Sequence, residues 1–273
     1  MIKLNDVSYR YKDGTHALNH IDFDVNAGNI IGLLGANGAG KTTLILSALG
    51  FLKPSSGQVL LEDKPLHYDK KFLMDLRSKV GIVFQNPDQQ IFYSNVYDDI
   101  AFGPRNLKMP KEEVKQRVEW AMEMVDATDL KDKPVHFLSY GQKKRVAIAG
   151  ALAMKHEVIF FDEPTAGLDP YVTEKIVSIL KKISSEGIKI VLSCHDMDLI
   201  YKLCDYGYII EGGNILKASP IESLFLDQGV LNQAHLTQPW LVKLHQSCNL
   251  PLFRDEADLI NHLNASGVSK LSR

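Results

Sequence analysis

Apolar and polar residues alternate from the start of the chain. Ile2, Leu4, Val7, Tyr9 and Tyr11 punctuate residues 2–11, and Leu18, Ile21, Phe23 and Val25 punctuate residues 17–25. A period near two belongs to a strand with one buried face. Asp13-Gly14 between the runs is a hairpin signal, so antiparallel strands are expected at the N-terminus. Short, mainly apolar runs follow at 29–34, 80–84 and 157–161, and 189–193 reads as a further strand. Such runs mark parallel strands covered on both faces. Residues 44–49, 70–77, 171–184 and 196–203 read as helices, and 55–57 as a turn leading to a strand at 58–61.

From residue 89 to about 149 the period becomes helical, with Val114, Val118, Ala121, Met122 and Val125 on one stripe. This predicts a surface-lying helical insertion at about 86–153, broken by Pro104 and Pro110 and ending in a longer helix over 139–154. Residues 208–210 and 214–216 read as a hairpin across Gly212-Gly213, before a short helix at 221–225. The expected organisation is a main domain over 1–225 and a small C-terminal segment over 226–273. Trp240, Leu241, Leu252, Phe253, Leu259 and Leu263 make that segment too apolar for a free linker.

Composition narrows the classes. The 273 residues carry a formal net charge of -2, so no whole-protein field draws the chain to nucleic acid or anionic lipid. No apolar run reaches the roughly 18 residues of a membrane span, and residues 1–6 lack the apolar core of a signal peptide. Cys194, Cys204 and Cys248 form no C-x-x-C pair and are expected to be reduced.

Gly35-Ala36-Asn37-Gly38-Ala39-Gly40-Lys41-Thr42-Thr43 fits the phosphate-loop pattern at every fixed position. It lies between a predicted strand and a predicted helix, the context that the motif requires. The glycines let backbone N–H groups curl around phosphate oxygens, and the helix N-terminus adds partial positive charge. Lys41 would meet the β- and γ-phosphates, and the Thr42 hydroxyl would ligate Mg²⁺. The fold class that follows is α/β: a phosphate-loop NTPase core with a mainly parallel sheet, an N-terminal antiparallel β subdomain, a helical insertion and a small C-terminal segment.

Val158-Ile159-Phe160-Phe161 ends in Asp162-Glu163. Two carboxylates at a strand end suit a second Mg²⁺ partner, Asp162, and a base for the attacking water, Glu163. Ser139 is placed as the N-cap of the following helix, where free N–H groups can meet an anion.

These segments, with Gln85, Ala166-Gly167-Leu168-Asp169 and His195, stand in the order of the ABC-type ATPase motifs. The chain resembles an ABC nucleotide-binding subunit over about residues 2–217. The resemblance implies two subunits, the same or related chains, sandwiching two ATP molecules. Each ATP would lie on one phosphate loop and meet Ser139, Gly141 and Gln142 of the other subunit, an isologous arrangement in a homodimer. It implies that Tyr11, or alternatively Tyr9, stacks on adenine. It also implies that Gln85 senses the γ-phosphate and Mg²⁺, Asp169 contacts the opposite subunit, and His195 holds the γ-phosphate and positions Glu163. Tyr140 departs from the pattern, which usually has glycine there.

Residues 85–92, 98–104 and 138–150 further resemble the ATPase subunits of energy-coupling-factor importers, and most of all the cobalt/nickel-uptake subunit. That implies a membrane-embedded coupling protein docked near residues 85–104, a substrate-binding membrane subunit, and a peripheral place at the cytoplasmic face of the cell membrane. Asp98 and Asp99 would either receive basic side chains from the coupling protein or favour a helix N-terminus. The C-terminal segment would either dimerise or cover its own subunit. A vitamin importer of the same type is the alternative. A soluble, non-transport ABC ATPase is the alternative of another class. Against it stand the short spacing between Lys41 and Ser139, the single cassette and the absence of a basic patch; no nucleic-acid partner is expected.

Overall fold

The computed structural model describes residues 1–265. The chain opens with antiparallel strands β1 (Ile2–Arg10) and β2 (His16–Asp24), then β3 (Ile30–Leu34) and helix α1 (Lys41–Ala48). Strands β4 (Ser56–Leu61) and β5 (Lys64–Pro65) lead to α2 (Lys70–Lys79) and β6 (Val80–Val83). The helical insertion follows as α3 (Val96–Asn106), α4 (Lys111–Met124) and α5 (Tyr140–Ala153). Then come β7 (Val158–Asp162), α6 (Pro170–Ser185), β8 (Lys189–Ser193), α7 (Met197–Leu203), β9 (Tyr206–Glu211) and β10 (Asn214–Pro220). Helices α8 (Ile221–Phe225), α9 (Gln228–Gln233), α10 (Trp240–Cys248) and α11 (Glu256–Ala265) complete the described chain.

One sheet has the order β2-β1-β4-β5 and is antiparallel; the other has the order β10-β9-β3-β8-β7-β6. In the second sheet β9, β3, β8, β7 and β6 are parallel and β10 returns antiparallel. The continuous apolar runs now have a physical reason. In β7, Val158 and Phe160 face one core with α1, α2 and the antiparallel sheet, while Ile159 and Phe161 face the other with α3 to α7. In β3, Ile31 and Leu33 divide in the same way from Ile30 and Leu34. Alternate residues of a strand serve opposite faces, so a strand covered on both sides has no polar positions. Full burial of one such side chain is worth roughly 1.5–3 kcal/mol.

Two local expectations are corrected. Pro104 does not break the insertion; it lies inside α3, which continues to Asn106. The N–H that proline lacks would have served the Ile100 carbonyl, close enough to the helix end that only one further turn is affected. Pro110 does open a helix, as the N-cap of α4. Ser56 and Gly57 lie within β4, where Gly57 has φ +76 beside a register shift against β1. A Cβ there would lie 2.1 Å from the Asp6 carbonyl oxygen, so this irregular pairing demands glycine.

The tail forms helices α9, α10 and α11, and Leu231, Leu241, Val242 and Leu259 are buried in the same core as Ile200, Tyr201 and Phe225. Residues 266–273 of the expected C-terminal segment lie outside the described residues.

Candidate functional site

The carboxyl ends of the parallel strands converge, as crevices of open α/β sheets require. The loop from β3 to α1 carries the phosphate-loop motif. Gly35 has φ +154, and a Cβ there would lie 2.2 Å from the Ile210 carbonyl oxygen; Gly40 has φ +115, with the Ala17 carbonyl 2.7 Å from its Cβ position. Only glycine passes both points. No side chain caps α1 and no acidic residue lies in its first turn, which leaves its N-terminal N–H groups to an anion.

Lys41, the first residue of α1, is 8 % exposed, and its Nζ donates to the carbonyls of Gly35 (2.6 Å) and Ala36 (3.0 Å). Burial lowers its pKa, and the charges of Glu163, Asp162 and Glu211 oppose that. A cleft of 530 Å³ opens beside it, lined by Tyr11, Asn37, Gly38, Gly40, Thr42 and Thr43 together with Gln85, Asp162, Glu163 and His195. The Tyr11 hydroxyl lies 3.0 Å from Thr43 Oγ1. Tyr9 meets the Tyr11 ring edge-on at 5.0 Å and packs against the core instead. Of the two tyrosines, Tyr11 is the one on the cleft.

Asp162 and Glu163 follow the apolar run of β7. Ser193, at the end of the neighbouring β8, donates its hydroxyl to Asp162 Oδ1 at 2.6 Å. The Glu163 N–H donates to both the carbonyl (3.1 Å) and the hydroxyl (3.2 Å) of Ser193. Glu163 is 9 % exposed, and its Oε1 is buried without a hydrogen-bond donor. His195 Nε2 stands 3.4 Å from that oxygen. Burial raises the Glu163 pKa, and the charges of His195 and Lys41 oppose the rise. A raised carboxylate pKa brings the group nearer to what a general base needs at neutral pH.

The donor set suits Mg²⁺. The Thr42 hydroxyl, the Gln85 amide and the Asp162 carboxylate offer only hard oxygen ligands to one cleft, and Mg²⁺ is usually held by few protein oxygens together with substrate phosphates. Among the described residues no group of three or more His, Cys, Asp or Glu could hold a metal ion alone.

Ser139, Gly141 and Gln142 do not line this cleft. They open α5 with a capping box: Gln142 N–H donates to Ser139 Oγ at 3.3 Å, and Ser139 N–H to Gln142 Oε1 at 2.9 Å. A Cβ on Gly141 would lie 2.8 Å from Val172 Cγ1, so glycine lets α5 approach α6. Asp169 caps α6 through the Val172 N–H at 2.9 Å. Tyr140, at the position of departure, donates its hydroxyl to the Gln85 carbonyl at 3.1 Å.

Asp98 and Asp99 are both engaged within the chain. Asp98 pairs with Arg105 at 2.7 Å and bonds Asn95; buried Asp99 accepts the N–H groups of Phe92 and Tyr93. Sequence reasoning missed Ser193, Lys144 and the Tyr140 hydroxyl. Ser193 left a faint signal as a polar residue ending an apolar strand; the other two left none.

Known proteins similar to this chain are ABC transporter ATP-binding subunits. A family model described as ABC transporter matches residues 18–166. The energy-coupling factor transporter ATP-binding protein EcfA of Methanocaldococcus jannaschii is 47 % identical over 249 residues, 91 % of this chain and 89 % of that protein. The cobalt import ATP-binding protein CbiO of Salmonella typhimurium is 42 % identical over 272 residues, covering 100 % of both. Among solved structures, cbiO1 of Clostridium perfringens, part of the ABC transporter complex cbiONQ, superposes with a TM-score of 0.79 at 41 % identity. It covers 90 % of this chain and 98 % of that one.

Proposed function

The chain belongs to the ABC transporter ATP-binding family, and from that premise we propose that it is the ATPase of an energy-coupling-factor importer that drives uptake of cobalt or nickel ions. One observation carries the reading of its site. The phosphate loop, Gln85, Asp162, Glu163 and His195 share one cleft, while Ser139 and its helix N-terminus are absent from it. The site is closed by the corresponding N-terminus of a second subunit, either the same chain or a related one.

The residues divide the work. The loop N–H groups and Lys41 bind the β- and γ-phosphates, and charge-assisted hydrogen bonds make that grip strong. Tyr11 stacks on the adenine. Thr42, Gln85 and Asp162 would hold Mg²⁺, which offsets phosphate charge when bound. Glu163 takes a proton from the water that attacks the γ-phosphorus, giving ADP and inorganic phosphate. His195 holds the γ-phosphate and orients the Glu163 carboxylate. ATP binding closes two subunits and hydrolysis releases them; the insertion carries that motion because Gln85 leads directly into it.

The membrane proteins dock where the insertion meets Gln85. Phe92 is 65 % exposed there and packs edge-on with Phe102 at 5.3 Å. Among the described residues no helix is long and apolar enough to cross a membrane; a peripheral place at the cytoplasmic face rests on the likeness to ATP-binding subunits of importers. The C-terminal segment adds to subunit pairing through its exposed face. The preference for a metal over a vitamin rests on the likeness to CbiO across the full chain.

Uptake of labelled cobalt by cells that express the chain beside its membrane proteins tests the reading. Glu163→Gln is expected to reduce uptake to background. A vitamin moved in place of cobalt would overturn the metal assignment and leave the importer assignment standing.

A further inference from the structure

Lys144 is a lysine with no exposed surface, in the second turn of α5. Its Nζ donates to the Glu163 carbonyl oxygen at 2.9 Å and stands over the Tyr140 ring, 5.6 Å from its centroid. A buried ammonium is expensive to desolvate, and an apolar residue of similar volume is often as stable or more so. The fold does not need a charge at this point for its own sake.

Glu163 shows what the charge does. Its φ is +48, a left-handed conformation that is unfavourable by roughly 1–2 kcal/mol for a residue with a Cβ. Such conformations persist where the surroundings over-determine them, and they cluster at functional sites. Here both peptide groups of the residue are clamped. Its N–H is held by Ser193 and its carbonyl by Lys144, with a weaker turn contact from the Ala166 N–H at 3.2 Å. The direction in which the side chain leaves the backbone follows from that turn.

We propose that Lys144 is a positioning residue for Glu163: its charge-assisted hydrogen bond holds the left-handed turn that aims the carboxylate at the γ-phosphate side of the cleft. Burial pushes the Lys144 amine down to about 8, so it remains mostly protonated and donates as a cation at neutral pH. Lys144 also lies one turn from Ser139, which serves the partner's nucleotide. The same helix therefore reaches the signature end of one site and the base of the other. The Tyr140 hydroxyl adds the Gln85 carbonyl to this connection. The proposal rests on Glu163 being the base.

The test compares two substitutions of nearly equal shape, Lys144→Met, which has no donor, and Lys144→Gln, which keeps one. ATP turnover, affinity for a fluorescent ATP analogue and the thermal midpoint are measured for each. Misplacing a reacting group by about 1 Å can lower the rate about 100-fold. Lys144→Met is expected to lower kcat by about 10- to 100-fold, with nucleotide affinity within twofold of wild type and a thermal midpoint no lower. Lys144→Gln is expected to recover most of the rate. In a Glu163→Gln background, Lys144→Met should slow the residual turnover no further, since residues acting as a unit are not additive. Equal rates for the Met and Gln variants, or a Met variant that loses its fold, would mark a structural lysine and overturn the proposal. Wild-type turnover in Glu163→Gln alone would instead remove the base assignment, whatever the Lys144 pair shows.

Discussion

His156 should make the fold sensitive to mild acid. It lies in the turn between α5 and β7, 7 % exposed, with its ring packed where a Cβ on Gly81 would come within 2.3 Å. Nδ1 is 3.3 Å from the Ser78 carbonyl. Burial pushes its pKa down from 6.5 to about 4, and that contact opposes the shift only in part. Between those values the unfolded chain binds a proton that the folded chain does not. Stability is therefore complete above about pH 6.5 and declines as the pH falls toward 4. The full gap corresponds to roughly 3 kcal/mol, of which about 2 kcal/mol is lost by pH 5. For a chain of this size that is a fall of about 4–8 °C in Tm. Urea unfolding of wild type and His156→Asn at about pH 7.5 and pH 5 isolates the effect, because every other titrating group is common to both proteins. Asparagine keeps an N–H for the Ser78 carbonyl and does not titrate. The wild type should lose about 2 kcal/mol more than the variant on acidification. An equal loss in both would refute the reasoning and place the proton elsewhere.

Two further outcomes follow from the same structure. Lys41→Ala removes the ammonium that donates to the Gly35 and Ala36 carbonyls of the phosphate loop; it should abolish tight ATP binding in a fluorescent-nucleotide titration, and near-normal affinity would remove Lys41 from the site. Ending the chain after Leu226 uncovers the surface under Leu241, Val242 and Leu259; the Tm should fall and nucleotide-free dimers should weaken on size exclusion, while ATP affinity stays, and unchanged dimerisation would leave the segment as a cover for its own subunit.

Much of the fold and the site could be read from local signals. The phosphate loop is legible because its chemistry is carried by neighbours in sequence, a glycine-rich run with Lys41 between a strand and a helix, although the contacts that demand glycine at Gly35 and Gly40 come from the distant Ile210 and Ala17 carbonyls. The central strands are legible because burial on two faces leaves no polar positions in Val158 to Phe161. What stayed hidden depends on packing and side-chain direction that the apolar pattern does not show. A lysine in a helix reads as solvated, and only the packing of α5 against the end of β7 takes Lys144 out of water. Two acidic residues at a helix start offer no clue that Asp99 turns inward to hold the loop at Phe92 and Tyr93. Pro104 reads as a breaker because the pattern cannot show that α3 is about to end. Tyr140 reads as a departure at a glycine position, and only the fold brings its hydroxyl to the Gln85 carbonyl, 55 residues away.

ATP turnover by Glu163→Gln tests the central claim most directly. The amide keeps the shape of the carboxylate and cannot accept the proton of the attacking water. General-base catalysis is worth about 10²–10⁴-fold, so kcat should fall by that factor while affinity for ATP stays near wild type. With ATP and Mg²⁺ the variant should elute as a closed dimer. Turnover at the wild-type rate, measured on the same preparation, would contradict the account and require another base in the cleft.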